Sequence, residues 1–445
     1  MSSLSSAPYK GTRDYYPADK RRQNYIFGVW ARMAKRFGYE EYGSPLLEPL
    51  QVYTAKSGQE LVGEQTYRFT DRGDRDVVIR PEMTPSISRM VAAKRQELAY
   101  PARWFSIANF MRYERPQRGR EREFWQLNVD MFGADGVQAD AEIISLGFET
   151  MKAFGAKPDM YVIKLNSRKV IDAMMHDYLG LDPIQAPLMV KLFDRKNKIS
   201  NEAFRDQAIE IFGTEQAKEG LSKIAQLLLA KEIENLPKEI AENPAVEELH
   251  QLFSILKGRG VTNATFDITL MRGFDYYTGT VFEFFDTHPD NNRAMFGGGR
   301  YDGLVGLFGA EPLSAVGMAP GLSMTELFLD SHGLMPEFTS TTEVYVAVLG
   351  DALPGASTLT ARLRDEGVNT ELDITGRKID RQIKTAVKKQ IPYVLFVGEE
   401  ELKNETYNLK DTHTGDEETL SFERLVTRVK DRRHKHSTDV DELFE

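Results

Sequence analysis

The sequence predicts an α+β protein: an antiparallel sheet flanked by helices, interrupted by a helical insertion and followed by a separate α/β domain. Three observations predict it. Between Arg112 and Thr280 strand and helix signals come in runs rather than as alternating βαβ units, which argues against a doubly wound parallel sheet. Residues 166–260, with stretches such as GLSKIAQLLLAKEIENL, are rich in Ala, Leu, Lys and Glu and read almost wholly as helix. Beyond the linker-like MPEFTSTT (335–342) a compact strand–helix–strand–helix–strand pattern begins.

At 445 residues the chain is too long for one ordinary core, and four regions account for it. The sheet-bearing domain takes residues 1–165 and 261–334. Its first helix is marked by the spacing of Tyr25, Val29, Met33 and Phe37, and its strands by Val77–Ile79, Trp104–Ile107 and Thr280–Phe285, with a glycine cluster at Gly297–Gly299. The helical insertion is 166–260. The C-terminal α/β domain, 341–427, reads as VYVAVLG, a helix to Leu363, TELDI, a helix from Arg377 and YVLFVG. Residues 428–445, basic and then acidic, read as a flexible tail.

Composition narrows the chemistry. The net charge of −10 disfavours a generally polybasic binder, so any nucleic-acid contact must rest on local clusters. The absence of cysteine removes disulfides, thiolate nucleophiles and zinc sites built on sulfur. The seven histidines include no HExxH, so metal hydrolysis and a Ser/His triad start with poor odds and no side-chain metal site is expected. No apolar run approaches the roughly 18 residues of a membrane span, and the opening MSSLSSAPYK lacks the apolar core of a signal peptide. A soluble cytosolic protein is expected.

Two basic clusters stand out. Residues 112–122, RYERPQRGRER, hold five arginines against two glutamates around a Pro and a Gly, as expected of a loop between two strands. Arginine offers a planar fork of donors matched to phosphate oxygens, so the loop suits a polyphosphate or an RNA backbone, unless it is simply a solvated, salt-bridged hairpin. In the C-terminal domain Arg377, Arg381, Lys384 and Lys388 share one helical face, with Ile379, Ile383 and Ala386 opposite. Six bases against one acid over 377–389 make an electrostatic footprint for RNA.

Around these clusters the chain resembles the class II aminoacyl-tRNA synthetases, and within them the histidyl-tRNA synthetases. RYERPQRGRER and its following aromatic resemble the second class motif in its histidine-specific form. Phe37–Gly38–Tyr39 leading to Ser44–Pro45–Leu46–Leu47–Glu48 resembles the first, dimer-forming motif, and Gly11–Thr12–Arg13–Asp14 the N-terminal signature. LMRGFDYYTG (270–279) is similar to the histidine-specific signature, GGRYDG (298–303) to its companion loop, and RPEMT (80–84) to the family's Arg-Pro-Glu-x-Thr. The resemblance implies activation of histidine by ATP, with Mg²⁺ carried on the nucleotide, and transfer to tRNA(His) by a homodimer. It implies that Arg112 and Arg272 approach the α-phosphate from two sides, and that Glu114 and Phe124 hold adenine. Arg120 and Arg122 would serve the remaining phosphates. Glu82, Thr84 and Gln126 would receive the α-amino group, with Tyr276 also in the histidine pocket, and Asp130 and Tyr277 would face the imidazole. Arg118 and the basic face at Arg377, Arg381, Lys384 and Lys388 would meet tRNA. Taken alone, RPEMT also reads as a strand-to-helix junction with Thr84 as a cap.

One motif departs from the family pattern. The third class motif carries an arginine for the γ-phosphate in a Gly-Leu-Glu-Arg setting, and here Gly321–Leu322 is followed by Ser323–Met324, with no Lys or Arg between Arg300 and Arg362. The departure leaves an alternative open: a catalytically weakened relative that senses histidine or regulates another enzyme, as the paralogous regulatory subunit of ATP phosphoribosyltransferase does, though that paralogue lacks an anticodon-binding domain. A plain RNA-binding module would leave RGFDYYTG and RPEMT without work.

Overall fold

The computed structural model describes residues 4–54, 63–214, 216–271, 276–291 and 293–436. The chain divides into two compact units, Met1–Met335 and Pro336–Glu445. In the first unit the strands are β1 (Glu40–Glu41), β2 (Leu47–Pro49), β3 (Tyr67–Thr70), β4 (Asp76–Ile79), β5 (Ala102–Met111), β6 (Glu123–Phe132), β7 (Tyr161–Ser167), β8 (Ala264–Phe266), β9 (Thr280–Asp286), β10 (Ala294–Arg300) and β11 (Ala315–Met318). Strands β5, β6, β11, β10, β9 and β7 pair antiparallel in that order, as expected, and β1 and β8 flank them as parallel edges. A small antiparallel sheet, β2-β4-β3, stands apart.

The longer helices of this unit are α1 (Pro17–Arg36), α2 (Thr84–Ala93), α3 (Val137–Ala153), α4 (Gln185–Asp194), α5 (Asn201–Phe212), α6 (Ala217–Leu229), α7 (Pro244–Gly258) and α8 (Leu322–Ser331). Helix α1 begins with Pro17 at its first position, where a missing N–H costs nothing, and buries Tyr25, Val29 and Met33 at the predicted spacing. Between Ser167 and Ala264 the described residues contain no strand, and α7 packs against α3 and β7 as part of the wall of the main sheet. Thr84 is the first residue of α2 and makes no cap hydrogen bond; the cap position falls on Met83.

Two features fix the floor of the sheet. Strand β10 carries Gly297–Gly299 against its neighbours so closely that a Cβ at Gly298 would collide with the carbonyl oxygen of Gly317 on β11. At the end of the same strand Arg300 is buried and held by Asp140 of α3, with Nε 3.0 Å and Nη2 2.9 Å from Oδ1. Thr280 donates to the other oxygen of Asp140 at 3.0 Å, so one buried carboxylate ties the start of β9 to the end of β10.

The second unit has the mixed sheet β13-β12-β14-β15-β16, built from β12 (Val344–Val348), β13 (Thr370–Leu372), β14 (Tyr393–Val397), β15 (Thr406–Asp411) and β16 (Glu417–Ser421). The last two strands add an antiparallel edge beyond the expected pattern. Period-two alternation sorts the strand residues between two layers. Val344, Val346, Leu395 and Val397 pack with α9 (Leu353–Asp365) and α11 (Phe422–His436), while Tyr345, Ala347 and Val394 pack with α10 (Ile379–Lys388). The tail is corrected here: residues 428–436 continue α11, because Leu425, Val426 and Val429 are buried and Arg432 pairs with Asp411 at 2.7 Å.

Gly298→Ala should force β10 and β11 apart and cost about 1–3 kcal/mol, the usual range for overpacking, read as a lowered midpoint in urea or heat.

Candidate active site

A cavity of about 880 Å³ opens on one face of the main sheet. Strand β6 supplies one wall through its alternation: Phe124, Gln126, Asn128 and Asp130 line the hollow, while Leu127, Val129 and Met131 are buried behind it. The glycine floor of β10 and β11, the β4–α2 junction (Glu82, Met83, Thr84), Tyr276, Tyr277 and Tyr301, the arginine loop and the first turn of α8 complete the lining. Ten residues named from the sequence therefore converge here: Glu82, Thr84, Arg112, Glu114, Arg120, Phe124, Gln126, Asp130, Tyr276 and Tyr277.

The inner end is polar and buried. Asp130 is 4% exposed, and its Oδ1 accepts from the Tyr301 hydroxyl at 2.5 Å. Burial pushes the Asp130 carboxyl up to about 7, against the opposing pull of the Tyr301 hydrogen bond. Gly317 lies directly across from Asp130 in the β6–β11 register, and any Cβ there would strike the carboxylate. Tyr276 donates to Glu82 Oε2 at 2.8 Å, fixing a second buried carboxylate. Burial also raises the Tyr277 phenol far above its ordinary range, so it stays a neutral hydroxyl at physiological pH.

At the outer end the loop between β5 and β6 carries its arginines into separate tasks. Arg112 donates from Nε to Pro81 O at 2.9 Å and lies over the Phe124 ring, 5.2 Å from its centroid. Arg120 pairs with Glu114. Arg122 is absent from the lining: its guanidinium is turned to the Glu114 carbonyl (3.1 Å), the Tyr9 hydroxyl (2.9 Å) and the Tyr113 ring (4.1 Å to the centroid). Arg118, expected to meet tRNA, donates to Asn291 Oδ1 at 3.3 Å. Arg272 lies outside the described residues.

The third-motif departure is visible in the wall. Met324 lines the cavity in the first turn of α8 and packs against Gly119 of the arginine loop. Beside it, Ser323 donates to Glu121 at 2.8 Å, and Arg13 bridges Glu121 (3.4 Å) and Glu326 (2.6 Å). The sequence reading missed Tyr301, although it sits in the quoted GGRYDG, and Lys191, which α4 of the insertion contributes to the lining from a segment without any motif. Among the described residues no cluster of three or more His, Asp or Glu is placed to hold a metal.

In the second unit, Arg381, Lys384 and Lys388 are exposed on α10, and Ile379, Ile383 and Ala386 face the core as predicted. Arg377 precedes the helix and is drawn toward Asp373, 3.6 Å away.

An antiparallel sheet whose central hairpin presents arginines over a glycine-floored cavity is the architecture of a class II aminoacyl-tRNA synthetase. The chain belongs to the histidyl-tRNA synthetase family, whose model matches residues 11–324, and an anticodon-binding-domain model matches 343–432. It is 41% identical to a histidine–tRNA ligase of Leptospira biflexa, over 97% of this chain and 99% of that protein. It is 34% identical to one of Haloarcula marismortui, over 92% and 94%. Its fold is similar to a solved histidyl-tRNA synthetase of Nostoc sp. PCC 7120, with a TM-score of 0.80 at 21% identity, covering 97% of this chain and all of that one.

The raised Asp130 carboxyl makes a testable statement about stability. Between the ordinary aspartate value and about 7 the folded state binds the proton that the unfolded state has released, so this residue's contribution to stability falls as pH rises through that window. Asp130→Asn removes the term. The variant should gain on the wild type in urea unfolding as pH goes from 5 to 8, and parallel curves would contradict the assignment.

Proposed function

We propose that the chain is a histidine–tRNA ligase: it joins the carboxylate of histidine to the α-phosphate of ATP with release of pyrophosphate, then transfers the histidyl group to the terminal ribose hydroxyl of tRNA(His) with release of AMP. The convergence of Arg112, Glu82, and Gln126 with Asp130, from three separate segments, on one cavity carries this reading. Adenylate formation needs two anions held together and the added charge of a pentavalent transition state balanced, a task for fixed cations rather than a general base. Arg112 is set for it by the Pro81 carbonyl and the Phe124 face, with Arg272 as its proposed counterpart. Glu82, Thr84 and Gln126 would take the ammonium group, and Asp130 and Tyr277 the two ring nitrogens, with Tyr276 holding Glu82 and Tyr301 fixing the orientation of Asp130. Glu114 and Phe124 would hold adenine. Mg²⁺ would arrive on the nucleotide, and Arg381, Lys384, Lys388 and Arg377 would meet the tRNA.

The regulatory alternative is not favoured, since the chain carries an anticodon-binding domain and its curated relatives are ligases over nearly their whole length. No helix among the described residues is long and apolar enough to cross a membrane. A cytoplasmic location follows as part of the proposal, and so does a homodimer. For the dimer, Leu46 and Leu47 of the first-motif segment are 44% and 46% exposed, whereas Tyr39 of the same segment is 2% exposed and so is internal to the unit.

ATP–pyrophosphate exchange with each amino acid tests the reading, and only histidine should support it. Asp130→Asn should weaken histidine by about 1–3 kcal/mol in calorimetry, since an amide cannot replace the carboxylate acceptor. With Met324 in the wall, ATP should bind weakly and depend steeply on Mg²⁺ and salt. Met324→Arg should tighten ATP by roughly 10- to 100-fold in exchange assays, the worth of one guanidinium–phosphate pair. Arg381→Glu with Lys384→Glu should raise the KM for tRNA in charging assays while histidine-dependent exchange persists, because unlike charges become like ones at the RNA face.

A further inference from the structure

The tip of the arginine loop is fastened to a second loop that neither the motifs nor the proposed chemistry uses. Arg293, just before β10, donates from Nη2 to Gln117 Oε1 at 2.8 Å, and Arg118 donates to Asn291 Oδ1 at 3.3 Å. Asn291 is no ordinary loop residue, since it is 5% exposed. Its Nδ2 donates to Asp286 Oδ2 at 2.6 Å and to Ser331 Oγ at 3.1 Å. Asp286, at the end of β9, is itself held on its other oxygen by the His288 backbone N–H at 2.8 Å and by His332 Nε2 at 2.8 Å. Because Asp286 can only accept here, the amide of Asn291 must turn its NH₂ inward, which leaves its carbonyl oxygen as a fixed acceptor aimed at Arg118. A buried amide with both hydrogens and its oxygen engaged is a rigid support, and the loop tip rests on it.

The support spans functional ground. Glu114 and Arg120, which line the cavity, lie within four residues of the two tip contacts, and Gly119 between them packs on Met324 of α8, the helix whose last residue is Ser331. A flexible arginine-rich loop would have to be ordered each time nucleotide binds, and holding it in place beforehand removes that cost.

We propose that Asn291, assisted by Arg293, is a positioning residue for nucleotide use: it seats the tip of the arginine loop so that Glu114 and Arg120 face the cavity before ATP arrives. This rests on reading the cavity as the synthetase site. The seat acts on the nucleotide end alone, since the histidine end is built from β6, α2 and the tyrosines.

The cysteine-free chain permits a direct test. Asn291→Ala should raise the KM for ATP in histidine-dependent exchange about tenfold, as expected for loss of one charge-assisted hydrogen bond, with the KM for histidine within about twofold of wild type. Placing Gln117→Cys and Arg293→Cys in that variant and joining the two thiols with a short bismaleimide should bring the KM for ATP back to within about threefold of wild type, because a covalent tether replaces the seat. Thermal midpoints of the tethered and untethered protein separate this from simple stabilisation. An unchanged KM for ATP in Asn291→Ala would overturn the proposal, as would a tether that forms without restoring it, or thiols that fail to join. Cross-linking reports the proximity of loop and seat without any activity, so absence of exchange in the wild type would count against the synthetase reading, separately from the seat.

Discussion

The close approach of β10 to its neighbours is the constraint on which the rest of the site depends. Three consecutive residues without side chains let the strand lie close between β9 and β11, and Gly297 and Gly298 put no side chain into the hollow that they line. The cavity exists because side chains are missing along one strand and present on every element around it. Gly317 extends the same logic to β11, where the space of an absent methyl group is filled by the Asp130 carboxylate. A floor of bare backbone gains nothing from side-chain packing and loses conformational entropy on folding, so it must be held from outside. Arg300, Asp140 and Thr280 do this at one end, joining the start of β9 and the adjoining end of β10 to α3.

The same unit separates charges that share a sequence neighbourhood. Of the five arginines in the loop, Arg112 and Arg120 reach the cavity, Arg122 roots the loop to the N-terminal segment, and Arg118 is tied down at the tip. Like charges crowded at one point would repel, and the loop distributes them between the site and its supports. Carboxylates are treated likewise: Asp130 and Glu82 are each bound to a tyrosine hydroxyl and enclosed, while Glu121 and Glu326 are shared by Arg13 at the edge. The inner end of the cavity is thus short of water and rich in oriented dipoles, and the outer end is ionic and more accessible.

Much of this was legible in the sequence because it is written in local pattern. The spacing of Tyr25, Val29 and Met33 specified α1, and the short apolar runs VYVAV and YVLFV, alternating with helical segments, specified β12 and β14. Many of the residues that line the cavity were legible through short motifs, and strand alternation puts Gln126 and Asp130 on one face of β6. What could not be read depends on long-range closure. That Arg122 turns away from the cavity is decided by Tyr9, 113 residues earlier in the chain. Lys191 enters the lining from α4, a helix far in sequence from every motif that was quoted. Strands β15 and β16 were missed because Thr, Asn, Lys and Glu dominate them, as suits an edge with one solvated face. The extension of α11 over residues 428–436 was hidden by their charge, although Val429 among them is buried.

Met324 has a consequence of a different kind. A guanidinium is inert to oxidants, whereas a thioether is not, and conversion to the sulfoxide would turn a slim apolar contact into a bulkier, polar one. Here the sulfur presses on Gly119, where there is no side chain to yield. In a chain with no cysteine to react first, the methionine that stands where the family pattern has a positive charge also places an oxidisable atom directly beneath the tip of the arginine loop.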